Sequence, residues 1–458
     1  MSTTGMSDTR EPSEPRWRLT VAQTGAVIVG SLAALAGVVS GHADTVVMGV
    51  PLLALAAWAW DRRPRSASGA AARDASPVEG PLLTVSGDTT ATAGSLAYRV
   101  RVDPQPGVEA VQLRVFELGV HPRAHVLALA PGHPIDVRGH VPAPHSGPQR
   151  IVTVDWRLVA SGGALITDVG GPIGVDRVIT PLFTPIAALP LPHRLTGLTG
   201  AHDSSRPGDG GDFHDLAPFQ PGDRLRRIDW KATARLAREP GELYVRRTRA
   251  QADATVFVVI DSGDDVGENV DTWARFDPVA SGATTLDIAR SAGSAIAAGY
   301  VRIGDRVGFA DLGAPRRVVP AGGGSRHLDR LLRQIAATAP VGSYQASRRP
   351  PLVTQGALVY ILSSYLDDRP VMGALSLAAT GHRVVAVDVL PPPHLDELST
   401  ERRIAHRIVM MDRATRFDRL RGAGIDLLVW GTGRTSAERD AALLALARPG
   451  RPLVGVAR

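Results

Sequence analysis

Residues 254–260 read ATVFVVI, and this uncharged run opens the part of the chain that decides the fold. Apolar runs of similar length recur at 306–310 (RVGFA), 357–362 (ALVYIL), 383–389 (RVVAVDV), 425–430 (IDLLVW) and 452–457 (PLVGVA). Amphipathic stretches of helical length separate most of them, at 285–301, 326–337, 371–379, 413–423 and 436–447. Strands that are apolar along their whole length, alternating with helices, predict a mostly parallel sheet with helices on both faces. Gly304, Asp305 and Gly381 stand where turns into a following strand are needed.

Upstream the texture differs. Short alternating runs at 96–102 (LAYRVRV), 110–115 (AVQLRV) and 151–159 (IVTVDWRLV) are bounded by Gly and Pro, and predict a small β-sandwich-like domain over 81–180. Residues 61–80 (DRRPRSASGAAARDASPVEG) have no apolar period and read as a flexible linker, and 181–205 as a second, Pro/Gly-rich connector.

The chain opens with an uncharged stretch over 19–39, a polar break over 40–44, and a second apolar stretch over 45–60 that contains Pro51. At about 1.5 Å per residue the first is long enough to cross a hydrocarbon core of about 30 Å. It exceeds the apolar core of a cleaved signal peptide, and a second stretch follows directly, so a two-helix transmembrane hairpin over 19–60 is expected. Trp58 and Trp60, backed by Arg62, Arg63 and Arg65, form an interfacial anchor. Arg10, Arg16 and Arg18 precede the first span and the intervening loop has no Lys or Arg, so the positive-inside rule puts the tail (1–18) and everything after residue 61 in the cytoplasm.

Composition narrows the function. Of the 458 residues 44% are hydrophobic and 21% charged, which excludes a wholly disordered chain. The absence of cysteine removes disulfides, thiolate metal sites and thiol catalysis. A net charge of +6 invites a nucleic-acid reading, but basic and acidic side chains nearly balance in every segment, so no nucleic-acid partner is expected. No P-loop, strand-borne GxGxxG, HExxH or GxSxG occurs, and no catalytic residue is assigned.

Residues 206–249 read RPGDGGDFHDLAPFQPGDRLRRIDWKATARLAREPGELYVRRTR. Pro221, Gly222 and Asp223 predict a turn, and Arg226, Arg227, Asp229, Trp230, Lys231 (the only lysine) and Arg235 follow closely. Two readings stand side by side. The carboxylates and cations, Asp209 and Asp212 among them, form a polar surface offered to a partner, or they form an internal ion-pair network that locks a loop while Trp230 fills a pocket.

This stretch resembles the bacterial proteins of the family "domain of unknown function 58". Their G-x-G-x-[ED]-F segment and PGD-x-x-R-x-I-x-W element ending in Ala-Arg are matched by Gly208, Gly210, Asp212, Phe213, Pro221, Gly222, Asp223, Arg226, Ile228, Trp230, Ala234 and Arg235. LAPF at 216–219 departs from the family's common L-R-x-Y. The resemblance extends over the whole chain: two spans, a β-rich middle, the motif segment at 206–250 and an α/β domain at 251–458.

The resemblance implies that the α/β part is von Willebrand factor A-like. Such domains often hold a divalent cation through D-x-S-x-S after the first strand, a later Thr, and an Asp after the fourth strand; oxygen ligands of this kind suit Mg²⁺ or Mn²⁺. Here the first segment is Asp261, Ser262, Gly263, Asp264 and Asp265, so Gly and Asp replace both serines. A degenerate set of Asp261, Asp265, Ser325 and Asp367 is the candidate, against the alternative of solvated acidic loop ends at a sheet edge. The resemblance further implies a membrane-anchored cytoplasmic scaffold or adaptor in the bacterial plasma membrane. Its expected partners are a MoxR-type AAA+ ATPase and other membrane or cytoplasmic proteins, in complex assembly or activation. The alternative is a Mg- or Mn-dependent hydrolase or phosphotransferase built on the same carboxylates.

Overall fold

A computed structural model describes residues 16–64, 83–87, 94–117, 122–130, 133–186, 189–193, 195, 202–239, 241–273, 282–314, 317–341, 351–396, 398–431 and 436–447, without the side chains of 203–212 and 250. The tail over 1–15, the linker over 65–80 and the apolar run at 452–457 lie outside the described residues. The chain divides into two units, one of residues 1–143 and 149–177, the other of residues 144–148 and 178–458.

The first unit begins with β1 (Trp17–Leu19), α1 (Val21–Ser40) and α2 (Ala43–Asp61). Both helices are long and apolar enough to cross a membrane. Many of their large side chains are exposed, Val21 to 92%. Small residues draw the pair together: a Cβ on Gly49 would fall 2.5 Å from the Gly30 carbonyl oxygen. The guanidinium groups of Arg62 and Arg63 lie over the rings of Trp58 and Trp60, 4.3 and 4.9 Å from their centres.

The β-rich part follows as β2 (Leu83–Gly87), β3 (Gly94–Val102), β4 (Ala110–Glu117), β5 (Arg123–Ala128), β6 (Ile135–Ala143), β7 (Gly147–Ala160), β8 (Leu165–Thr167) and β9 (Gly170–Ile179). They form two sheets, β2-β3-β6 and β1-β8-β7-β4-β5, with β9 also pairing β7. Alternation sets the faces: in β4 Val111, Leu113 and Val115 are buried while Gln112 and Arg114 are exposed. One expectation is corrected here. Residues 17–19, read as the end of a tail and the start of a span, pair antiparallel with β8.

The second unit carries β10 (His202–Pro218), α3 (Trp230–Leu236), β11 (Tyr244–Ala252), β12 (Thr255–Ile260), α4 (Thr285–Arg302), β13 (Arg306–Asp311), β14 (Val318–Gly322), α5 (Ser325–Ala336), β15 (Leu358–Ser363), α6 (Arg369–Ala379), β16 (Arg383–Asp388), α7 (Thr400–Gly422), β17 (Asp426–Val429) and α8 (Ser436–Ala447). β10 and β11 form a two-stranded antiparallel ribbon, so the expected connector ends before residue 202. The other strands make one sheet of order β14-β13-β12-β15-β16-β17, parallel except for the edge strand β14. Numbered along the chain this is 3-2-1-4-5-6, a doubly wound order. Val256, Val258 and Ile260 pack with α4, α5 and α8 on one face, and Phe257 and Val259 pack with α6 and α7 on the other. The mixed α/β expectation holds.

Candidate functional site

Two places in the second unit gather the residues singled out by sequence. The first is the motif segment. Gly222, at φ +107°, makes the turn after Pro221 in a conformation that favours glycine. Asp223 closes it by accepting the Gln220 N–H at 2.9 Å, and lies 3.6 Å from Arg247 of β11. Asp229 caps α3 through the Ala232 N–H at 2.9 Å. Thr233 accepts the Tyr244 N–H at 2.9 Å, which fastens α3 to β11.

This scaffold turns its aromatic outward. Trp230 and Leu225 are each 69% exposed, so Trp230 does not fill a pocket of its own unit. An open cleft of about 430 Å³ is lined by Arg226, Arg227, Ile228, Asp229, Trp230, Arg246 and Thr248. Among the described residues no carboxylate pairs with Arg226, Lys231, Arg235 or Arg246. Arg246 instead lies over the half-exposed Phe213 ring, 5.3 Å from its centre. Asp223 and Asp229 are spent on turn and cap, while Arg226, Lys231, Arg235 and Arg246 are exposed. The side chain of Asp212 lies outside the described residues.

The second place is the carboxyl edge of the parallel sheet. Asp261 follows β12 and Asp367 follows β15, and Arg369 joins them: its Nη2 lies 2.8 Å from Oδ2 of Asp367 and 3.5 Å from Oδ1 of Asp261. Ser363 donates to Asp261 at 2.8 Å. Burial pushes the Asp261 carboxyl up to about 6, against the pull of Arg369. Asp265 belongs elsewhere, accepting the N–H of Leu286 at 3.1 Å and the hydroxyl of Thr285 at 3.3 Å in the first turn of α4. Burial pushes its carboxyl up as well.

Ser325 is not at this edge. It opens α5 after β14, whose end at Gly322 pairs with Val307 near the start of β13. The amino ends of β12 and β13 lie together there, so one strand length, about 20 Å, separates Ser325 from Asp261. The proposed four ligands therefore do not assemble, and among the described residues no cluster of three His, Asp or Glu side chains suits a metal ion.

Sequence reading overlooked the cations at this edge. Arg413 donates through Nε to the Ser364 carbonyl at 2.7 Å and pairs with buried Asp388, and Arg290 donates to the carbonyls of Ser146 and Thr338, both at 2.8 Å. Asp311, the last residue of β13, accepts the Ser262 hydroxyl at 2.5 Å. The sequence shows a glycine at 263 but not the Arg369 beside it, a contact that only the fold makes.

Comparison with known proteins agrees with part of the family reading. Residues 215–398 match the family described as "Protein of unknown function DUF58". The match runs from within β10 past β16 and does not reach the first unit, so it is narrower than the expected whole-chain resemblance. An uncharacterized protein of Mycobacterium bovis and two of Mycobacterium tuberculosis are each 29% identical to this chain over 215 residues, 44% of this chain and 63% of their own length. The chain thus spans less than two thirds of these curated relatives. No solved structure matches.

Proposed function

We propose that this protein is a membrane-anchored adaptor of the bacterial plasma membrane, both ends cytoplasmic, that docks a protein partner on the surface around Trp230. The observation that carries it is a large aromatic, 69% exposed, on a short helix fixed by its own cap, near Arg226, Lys231, Arg235 and Arg246, with which no carboxylate pairs among the described residues. Aromatic and Arg side chains dominate the energetics of protein interfaces, and the unpaired charge selects a partner segment rich in Asp or Glu. The resemblance implies that this partner is a MoxR-type AAA+ ATPase, which supplies the nucleotide hydrolysis for which the chain has no P-loop.

The second unit, on this reading, is a von Willebrand factor A-like domain. Its doubly wound order supports that, with Asp261 and Asp367 after the first and fourth strands. The alternative of a Mg- or Mn-dependent hydrolase gains nothing from the geometry, because a guanidinium lies between the carboxylates on which it depends.

The test is affinity capture of full-length protein from membranes, with and without ATP, followed by mass spectrometry. An AAA+ ATPase recovered with wild type and with a distal Arg439→Ala variant, but lost with Trp230→Ala, is the expected result. Equal recovery with all three would move the docking surface elsewhere. Recovery with none would remove the partner.

A further inference from the structure

A doubly wound sheet opens its ligand crevice where strand order reverses, outside the carboxyl ends of the two strands that flank the reversal. In this protein that point lies between β12 and β15. The strand ends there carry Asp261 and Ser363, joined by the hydrogen bond described above. A cation is what such a pocket of carboxylates calls for, and the von Willebrand factor A resemblance names Mg²⁺ or Mn²⁺. The side chains present do not fit either ion, because one of them already fills the crevice.

Three observations show this. First, the Arg369 guanidinium is largely buried and reaches the carboxylates from both strands, Asp261 after β12 and Asp367 after β15. Asp367 also accepts the backbone N–H of Arg369 at 3.0 Å, so the first turn of α6 delivers the group in a fixed position, with Pro370 setting the helix start. A cation at a helix N-terminus opposes the helix dipole, so the carboxylates and not the helix hold it there.

Second, a Cβ added to Gly263 would fall 1.8 Å from Nη2 of Arg369 and 2.4 Å from its Cζ. Residue 263 is the position at which the metal-binding pattern has its first serine. The serine that would ligate a metal and the arginine at 369 exclude one another in space, and this chain has the glycine and the arginine together. Third, the remaining candidates are engaged or distant: Asp265 holds α4, and Ser325 lies at the opposite edge. Of the other acidic groups nearby, Asp311 binds the Ser262 hydroxyl and the N–H of Gly313, and half-buried Asp264 stands close enough to Asp367 to feel its charge.

We infer that Arg369 is the resident cation of this crevice, a tethered guanidinium in the place where related sheets would bind a divalent ion, so that the carboxyl edge is assembled without metal. This goes beyond the docking reading and does not depend on it, since no partner enters the argument.

The experiment uses the full-length protein in detergent, with Mn²⁺ as probe, read by the paramagnetic resonance of free Mn²⁺ and by melting with and without chelator. Wild type is expected to take up no Mn²⁺ at millimolar concentration and to melt at the same temperature in EDTA. Arg369→Gln frees Asp261 and Asp367 and is expected to gain Mn²⁺ affinity on the order of tenfold or more, the scale of one unit charge removed from a partly buried site. Adding Asp261→Asn to that variant is expected to abolish the gain. Stoichiometric Mn²⁺ uptake by wild type, or a drop in its melting temperature in EDTA, overturns the inference, and so does a folded Arg369→Gln protein that gains nothing. Should that variant fail to fold, the wild-type titration decides alone.

Discussion

Nδ1 of His145 lies 2.6 Å from Oδ2 of Asp287, and Oδ1 of the same carboxylate accepts the backbone N–H of Ser146 at 2.7 Å and its hydroxyl at 2.9 Å. Burial works against the charge of Asp287, but the hydrogen bonds from His145 and Ser146 outweigh it and hold the carboxyl below its usual range. A carboxyl depressed in the folded state contributes stability that is present above the ordinary carboxyl value, about 4, and is lost as pH falls through the lower folded value. Asp287→Asn is therefore expected to cost about 1.5–3 kcal/mol at pH 7, with the gap to wild type narrowing below about pH 4. Urea midpoints at the two pH values check this; an equal deficit at both would refute it.

Arg413 is expected to behave as a buried pair's indispensable half. Its guanidinium binds the Ser364 carbonyl and Asp388 and lies 4.6 Å from the centre of the Phe417 ring. Arg413→Ala leaves Asp388 charged and uncompensated beneath α7, a loss of about 3–5 kcal/mol. Combining it with Asp388→Asn should recover a substantial part. Denaturant midpoints of the single and double variants measure the difference, and a double variant as weak as the sum of its parts would contradict the pairing.

Trp230 should separate binding from folding. Because it is mostly exposed, Trp230→Ala is expected to shift stability by no more than about 0.5 kcal/mol. Asp229→Ala removes the cap of α3 and is expected to cost about 1 kcal/mol. Thermal melts of the two variants distinguish them. A large loss in Trp230→Ala would mean that the ring supports the fold.

The lack of any native cysteine makes the topology directly readable. His42→Cys, at the turn between α1 and α2, is expected to react with a membrane-impermeant maleimide in intact cells. Arg63→Cys, just past α2, is expected to react only after lysis. The reverse pattern would place the bulk of the protein outside.

The parallel strands were legible because 254–260 and 357–362 are apolar along their length, as a strand covered on both faces must be. β10 was not, since RPGDGGD at 206–212 is poor in β-forming residues, and its pairing with β11 proceeds through several register shifts. The first half of α7 escaped notice for a related reason. Residues 400–412 mix charged side chains with exposed Ile404, Ile408, Val409 and Met411, and in the whole helix only Arg413 and Leu420 are buried, so no packed stripe marks it. Ser325 was misplaced because sequence tells which loop follows which strand but not which edge it reaches. β14 runs antiparallel, and a strand that runs backward delivers its following loop to the amino edge. The exclusion between residue 263 and Arg369 was invisible for the same reason: it is a contact across more than a hundred residues of chain.

The three-residue strand β1 has a mechanical consequence. It joins the start of α1 to β8, Thr20 donates to the Ala164 carbonyl at 2.9 Å, and Ser161 of the same β7–β8 turn donates to the Ala59 carbonyl at 3.2 Å, near the end of α2. Both helices are thereby clamped to a single turn. Torque or tension applied to the β-rich sheets passes into the hairpin at two points at once, as a load passes through a bracket and not along a rope. A pull on this unit would rock the two helices together before it drew out any slack.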